Sequence, residues 1–155
     1  HAHLDHCGRL PIVIKNGFDG DIWMTAPTAD LTQLSLFDSA KIARQDKKTA
    51  LYDKELVEKT VRHFSLIDYG KTQEVGHFRF TFRDAGHILG SASVEIEDLH
   101  PDSEIKKIVI CPVESIPVGG IYLLAPKPFI ACNVSKPCMK INSCVTSSKK
   151  PFFMV

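Results

Sequence analysis

The first six residues, HAHLDH, combine three imidazoles and a carboxylate at very short spacing. His1 and His3 are two residues apart, so in an extended segment both rings point to the same side. If the chain turns directly afterwards, Asp5 and His6 can face a second metal ion beside the first. Two ions about 3.5–4 Å apart activate a water and polarise the bond to be cleaved. The mixed imidazole and carboxylate donors suit Zn²⁺, with Mn²⁺ or Fe as alternatives.

Asp5 can do more than bind an ion, because a carboxylate beside an activated water can also accept its proton. The competing interpretation of HAHLDH is a purification tag. Tags are usually homopolymeric, whereas this run is interrupted by Ala2, Leu4 and Asp5 and leads into a predicted helix. The spacing therefore predicts a metal site with Asp5 as the catalytic base.

A further ligand is predicted at His87, which lies in a turn between Gly86 and Gly90. A turn between two strands presents a side chain from a rigid sheet edge. The other three histidines, on a helix end, a strand and a loop, are predicted to be structural; they are His63, His77 and His100.

The elements that must position these residues are predicted from hydrophobic periodicity and capping signals. Helical spacing of Leu31, Leu34, Phe37 and Ala40 marks the longest helix, and an Asp53 cap begins another. The predicted helices are 8–16, entered through Pro11 and ended by Gly17, then 28–44, and 53 to 63 or 64. The predicted strands are 21–25, 78–82, 92–97 and a more buried one at 105–110. Helices followed by consecutive strands indicate a mixed α/β layered domain.

Composition sets broad limits on the protein. The 155 residues carry a net charge of +1 and are 44% hydrophobic, which fits a globular domain with its own core. No apolar run approaches the roughly 18 residues of a membrane span, so no membrane association is expected. Five cysteines, without secretory features, predict a reducing, cytoplasmic setting.

The character of the sequence changes near residue 110. Glu114 is the last acidic residue, and the 41 residues after it hold five lysines and no arginine. Four of the five cysteines and six of the nine prolines also lie beyond residue 110. We predict no regular elements there. The predicted organisation is a domain at 1–110 and an atypical tail at 111–155.

Two segments resemble a known family. HAHLDHCGRLP resembles the H-x-H-x-D-H signature of the metallo-β-lactamase fold. FRFTFRDAGHILGSASVEI, at 78–96, is similar to the second histidine motif of its β-CASP branch, which contains RNA- and DNA-processing nucleases. TAPTADLTQLSLFDSAKI, at 25–42, is also similar to that branch. The resemblance covers about residues 1–110.

The resemblance implies a partial αββα layered metallo-β-lactamase-like fold, truncated at both ends, and two zinc ions in the intact family. His1, His3 and His87 correspond to the ligands of one ion, and Asp5 and His6 to those of the other. The family's bridging aspartate has no counterpart, because CPVESIP follows the predicted strand and offers only Glu114. One hypothesis is that 111–155 derives from a shifted reading frame; the other is a poorly ordered tail.

The function implied for the parent protein is a zinc-dependent phosphodiesterase that cleaves RNA with a metal-activated water. Two alternatives stay open at this stage. One is a small-molecule hydrolase of the same fold, acting on a thioester, lactone or amide. The other is a non-catalytic fragment, since with an incomplete ligand set the chain is expected to hold one weakly bound zinc at most.

Overall fold

A computed structural model describes residues 1–45, 51–104, 106–110, 120–123, 130–133 and 152–153. The chain divides into two compact units. The first unit comprises His1–Ile67 with Pro151–Met154, and the second comprises Asp68–Lys150 with Val155.

The first unit combines helices with a three-stranded parallel sheet. Its elements are α1 Leu4–Cys7, α2 Leu10–Lys15, β1 Ile22–Met24, α3 Ala26–Gln45, α4 Lys54–Val61, β2 Phe64–Leu66 and β9 Phe152–Phe153. The strand order is β2-β1-β9, with Ile22 paired to both Phe64 and Phe152. One core cluster joins α1, α2 and β1; its fully buried members are Cys7, Leu10, Ile14, Ile22 and Met24.

The predicted helices of this unit are confirmed, with shifted boundaries. α2 carries Pro11 in its first turn, where a missing N–H costs nothing, and Gly17 follows with a φ of 92°. α4 begins at the predicted cap, because the Asp53 carboxylate accepts a hydrogen bond of 2.9 Å from the Leu56 N–H. The strand predicted at 21–25 is β1.

The buried face of α3 differs from the predicted one. The helix buries Thr28, Thr32, Leu36 and Ala40, which follow one another at intervals of four residues. Leu34 is 67% exposed. Of the predicted face, Ala40 is buried and Phe37 packs against an apolar cluster. The apolar spacing therefore located the helix but identified its packed side only in part, because that side is determined by the neighbouring elements.

The second unit is an antiparallel sheet of six strands in the order β3-β4-β5-β6-β7-β8. These are β3 Thr72–Val75, β4 Phe78–Asp84, β5 Ala92–Asp98, β6 Lys107–Ile110, β7 Gly120–Leu123 and β8 Ile130–Asn133. The period-two pattern is confirmed in β4 and β5, where Phe80, Phe82, Ala92 and Val94 are buried. All four residues of β6 are half-buried, so the prediction of a more buried strand is wrong.

Charged side chains form cross-strand pairs on the more exposed face of this sheet. Arg79 lies 2.8 Å from Glu74 and also pairs with Glu97. Further pairs link β4, β5 and β6; they are Arg83–Glu95, Lys107–Glu95 and Lys107–Glu97. Because the charges balance within these pairs, this face is not a basic patch.

The mixed α/β class is confirmed. Six short elements among the described residues were not predicted from the sequence; they are α1, β2, β3, β7, β8 and β9. The last three lie after residue 119, where the prediction of no regular structure is wrong. Within the described residues, no helix has the length and apolar character needed to cross a membrane.

Candidate metal centre

The HAHLDH segment is extended at its start and helical at its end. His3 has extended dihedrals (φ −66°, ψ 143°) and is the residue before α1. Its carbonyl accepts hydrogen bonds from the N–H groups of His6, at 2.9 Å, and Cys7, at 3.0 Å. The Gly8 N–H closes the turn on the Leu4 carbonyl at 2.8 Å. This single turn brings His6 back beside His1.

The three imidazoles of this segment are in contact. The ring centres of His1 and His3 lie 4.8 Å apart at an interplanar angle of 88°. A zinc bound tetrahedrally by two imidazoles at 2.0–2.1 Å places their ring centres about 5 Å apart. The His1–His3 spacing therefore fits two ligands of one ion. His6 is closer to His1, at 4.1 Å between ring centres, which is shorter than a shared tetrahedral ion would give.

Asp5 and His6 form a pair of their own. The Asp5 Oδ2 lies 3.4 Å from the His6 Nε2, and the Asp5 side chain is 78% exposed. A neighbouring imidazole and carboxylate can provide two of the ligands of a second metal ion. The exposed carboxylate is also open to a water that must lose a proton.

The buried neighbour of these residues is Cys7, for which the sequence predicts no role in the site. Its thiol donates a 3.4 Å hydrogen bond to the Ala2 carbonyl. Burial raises the pKa of the Cys7 thiol, and a hydrogen bond with Thr32 opposes this shift. At neutral pH Cys7 is therefore a thiol and a donor, whereas a zinc ligand would be a thiolate. Its position directly after His6 was the available sequence signal.

His87 belongs to the second unit and lies in the turn between β4 and β5. The turn is closed by backbone bonds from Ala85 to the Ser91 carbonyl and from Ser91 to the Ile88 carbonyl. The His87 N–H itself donates to Ser91 Oγ at 3.1 Å. Gly86 has a φ of 64°, a conformation that residues with a Cβ rarely adopt. His87 is thus exposed at the end of a well-bonded turn.

Each of the three other histidines has a polar partner within its own unit. His63 Nδ1 lies 2.9 Å from the Gly20 carbonyl oxygen, next to the start of β1. His77 Nε2 lies 3.9 Å from Asp98 Oδ1. His100 Nδ1 accepts a 3.3 Å bond from the Asp102 N–H. These contacts fit the structural role predicted for them.

The structure thus brings four of the five predicted ligands together within the first unit; they are His1, His3, Asp5 and His6. His87 is presented separately by the second unit, and its place beside His1 and His3 stays a prediction. Glu114, the substitute considered for the bridging aspartate, lies outside the described residues.

Comparison with known proteins finds similarity to transcription termination factors of archaea. The chain is 40% identical over 97 residues to the transcription termination factor FttA of Methanothermobacter thermautotrophicus. It is 41% identical over 93 residues to FttA of Methanocaldococcus jannaschii and 41% over 98 residues to FttA of Pyrococcus horikoshii. These matches cover 59–62% of this chain but 15% of each relative. No family model matches the chain.

Proposed function

We propose that this chain is a segment of a zinc-dependent hydrolase of the metallo-β-lactamase fold, in its β-CASP branch, that cleaves RNA. The observation that carries the proposal is the contact between the His1 and His3 rings, at the spacing of two ligands on one ion. The similarity to transcription termination factors favours RNA over a small molecule, because termination acts on a growing transcript.

In this proposal, His1, His3 and His87 hold one zinc, and Asp5 and His6 hold the other. Bound zinc supplies a Lewis acid for the phosphoryl group and lowers the pKa of a water. Asp5, exposed and beside His6, is placed to accept a proton from a water in the site. The buried His1 is fixed in place, whereas the exposed Asp5 remains accessible to substrate and solvent.

The remaining expectations belong to the same proposal. Residues 1–110 form the partial metallo-β-lactamase-like domain, and 111–155 form a tail of different character. RNA is the partner, and the cytoplasm is the setting in which a transcript would be met. The chain spans about 15% of the length of the relatives, so the activity is proposed for the whole protein of which these residues are a part.

Zinc binding by the 155-residue chain tests the ligand set first. Competition with a chromophoric chelator should show at most one bound zinc. His1→Ala, His3→Ala and His87→Ala should each weaken binding at least about tenfold, because each removes a ligand. His100→Ala is the matched control and should leave the affinity unchanged. Equal affinities in all four variants would contradict the ligand set and favour a non-catalytic module.

A chimera tests the substrate class. The segment of M. jannaschii FttA that matches this chain is replaced by the matching residues of this chain, and the product is loaded with zinc. We expect metal-dependent cleavage of end-labelled RNA, and loss of cleavage when His1→Ala and Asp5→Ala are introduced together. Failure on RNA with turnover of a thioester or lactone would instead favour the small-molecule hydrolase.

A further inference from the structure

The buried face of α3 changes character along its length. Its second half carries Leu36 and Ala40, which pack with Tyr52 and Val57 in an apolar cluster. Its first half carries Thr28 and Thr32, which are 2% and 0% exposed. Burying a hydroxyl is costly unless it has a hydrogen-bond partner, so threonines here indicate a polar neighbour.

The Thr28 hydroxyl accepts a 3.0 Å bond from the Thr25 hydroxyl. For Thr32 the polar neighbour is the HAHLDH segment, because α1 packs against α3. Thr32 hydrogen-bonds the thiol of Cys7, the last residue of α1. The thiol in turn donates to the carbonyl of Ala2, at 3.4 Å. Ala2 is the residue between His1 and His3. A continuous chain of polar contacts therefore runs from Thr32, in the first half of α3, to the backbone that carries both imidazoles.

We propose that Thr32 and Cys7 are positioning residues of the metal centre, which hold the His1–His3 backbone in the conformation that lets both rings share one ion. The proposal rests on the proposed zinc site at these residues. Neither side chain binds the ion. Cys7 holds the Ala2 carbonyl, and Thr32 fixes the direction in which the thiol donates.

The geometry explains why such support is needed at this place. α1 has only four residues and a few hydrogen bonds of its own, so it is too short to be a stable helix in isolation. Its order comes from burial of Cys7 and from contact with α3. Partners one step removed from a metal typically contribute 10–100-fold to its affinity.

The test compares two buried threonines of the same unit. Thr32→Val keeps the shape of the side chain and removes its hydroxyl. Thr32→Ser keeps the hydroxyl and removes the methyl group. Thr60→Val is the matched control, since Thr60 is also 0% exposed and donates to the Leu56 carbonyl at 2.7 Å, but lies in α4. Zinc affinity and thermal unfolding are measured for each variant.

We expect Thr32→Val to lower zinc affinity about tenfold or more, and Thr32→Ser to lie within about threefold of the wild type. Thr60→Val should lower the melting temperature but leave the zinc affinity unchanged. Cys7→Ala should weaken zinc binding about as much as Thr32→Val. The double variant should bind zinc no more weakly than the single variant with the lower affinity, because both residues act through one chain of contacts. Equal zinc affinities for Thr32→Val and Thr60→Val would overturn the proposal.

A second measurement separates this proposal from the zinc site itself. In the metal-free wild type, NMR should show a nuclear Overhauser contact between the His1 and His3 rings, and Thr32→Val should abolish it. Persistence of that contact in Thr32→Val would overturn the positioning role. If the wild type binds no zinc but the ring contact depends on Thr32, the proposed function fails and the positioning role stands.

Discussion

Gly8 ends the turn that folds His6 beside His1, and a single methyl group at this position should disturb the metal centre. A Cβ built on Gly8 would lie 2.5 Å from the Leu4 carbonyl oxygen. Carbon and oxygen in contact are normally about 3.3–3.6 Å apart, so Gly8→Ala must move the two by roughly 1 Å. The 2.8 Å hydrogen bond from the Gly8 N–H to that oxygen would then be lost.

The size of the effect follows from this one bond. Its loss costs about 0.5–1.5 kcal/mol, while alanine recovers about 0.4–1 kcal/mol by restricting the unfolded chain. The free energy of unfolding should therefore change by less than about 1 kcal/mol. Zinc binds the folded site, so restriction of the unfolded chain does not offset the lost hydrogen bond in the binding equilibrium. Zinc affinity should therefore fall about fivefold, the equivalent of about 1 kcal/mol.

The assay measures zinc affinity and urea unfolding for Gly8→Ala, with Gly76→Ala as the control. Gly76 has a φ of 62° in the turn between β3 and β4, and its Cβ would meet no atom within 4 Å. Gly76→Ala should cost about 1 kcal/mol of stability through its left-handed backbone and leave zinc affinity unchanged. Zinc affinity of Gly8→Ala within twofold of wild type would refute the argument that the α1 turn positions the ligands.

Three further substitutions test the stability of the helices and strands of the two units. Asp53→Ala should lower the free energy of unfolding by about 1 kcal/mol, because the Leu56 N–H loses its cap; Asp53→Asn should recover most of this in urea titrations, and equal losses would contradict the cap. Phe80→Ala removes a ring that is 0% exposed and should lower the free energy of unfolding by about 3–5 kcal/mol in calorimetry. A loss of only about 1 kcal/mol would contradict the burial of this ring. Burial raises the pKa of Asp98, but the His100 backbone N–H and nearby partners outweigh it and hold the pKa below its usual value. The folded state therefore releases this proton more readily than the unfolded chain, so stability from Asp98 is present above about pH 4 and is lost on acidification. Urea midpoints of Asp98→Asn between pH 3 and 6 should fall less steeply than those of the wild type, and parallel curves would contradict this.

Local sequence signals predicted most of the longer helices and strands. The Asp53 cap, Pro11 in a first turn and the alternation around Phe80 act through residues close in the chain, and each gave an element at the expected place. The strands β2 and β3 were missed because they have only three and four residues, and β3 contains a single apolar one, Val75. β2 is fixed by pairing with β1, in which Ile22 lies opposite Phe64, a partner more than forty residues away.

The sequence by itself determined which donor groups are present in HAHLDH, since residue types and spacing are properties of the chain alone. It left open whether the segment turns after His3, and α1 supplies that turn. Only the tertiary structure decided that His1 is buried, that its ring contacts both His3 and His6, and that Thr32 rather than Leu34 faces inward. The physical reason is that a helix buries the face its neighbours cover. In α3 that face meets the polar HAHLDH segment as well as an apolar cluster, so periodicity of apolar residues could identify only the part beside the apolar cluster.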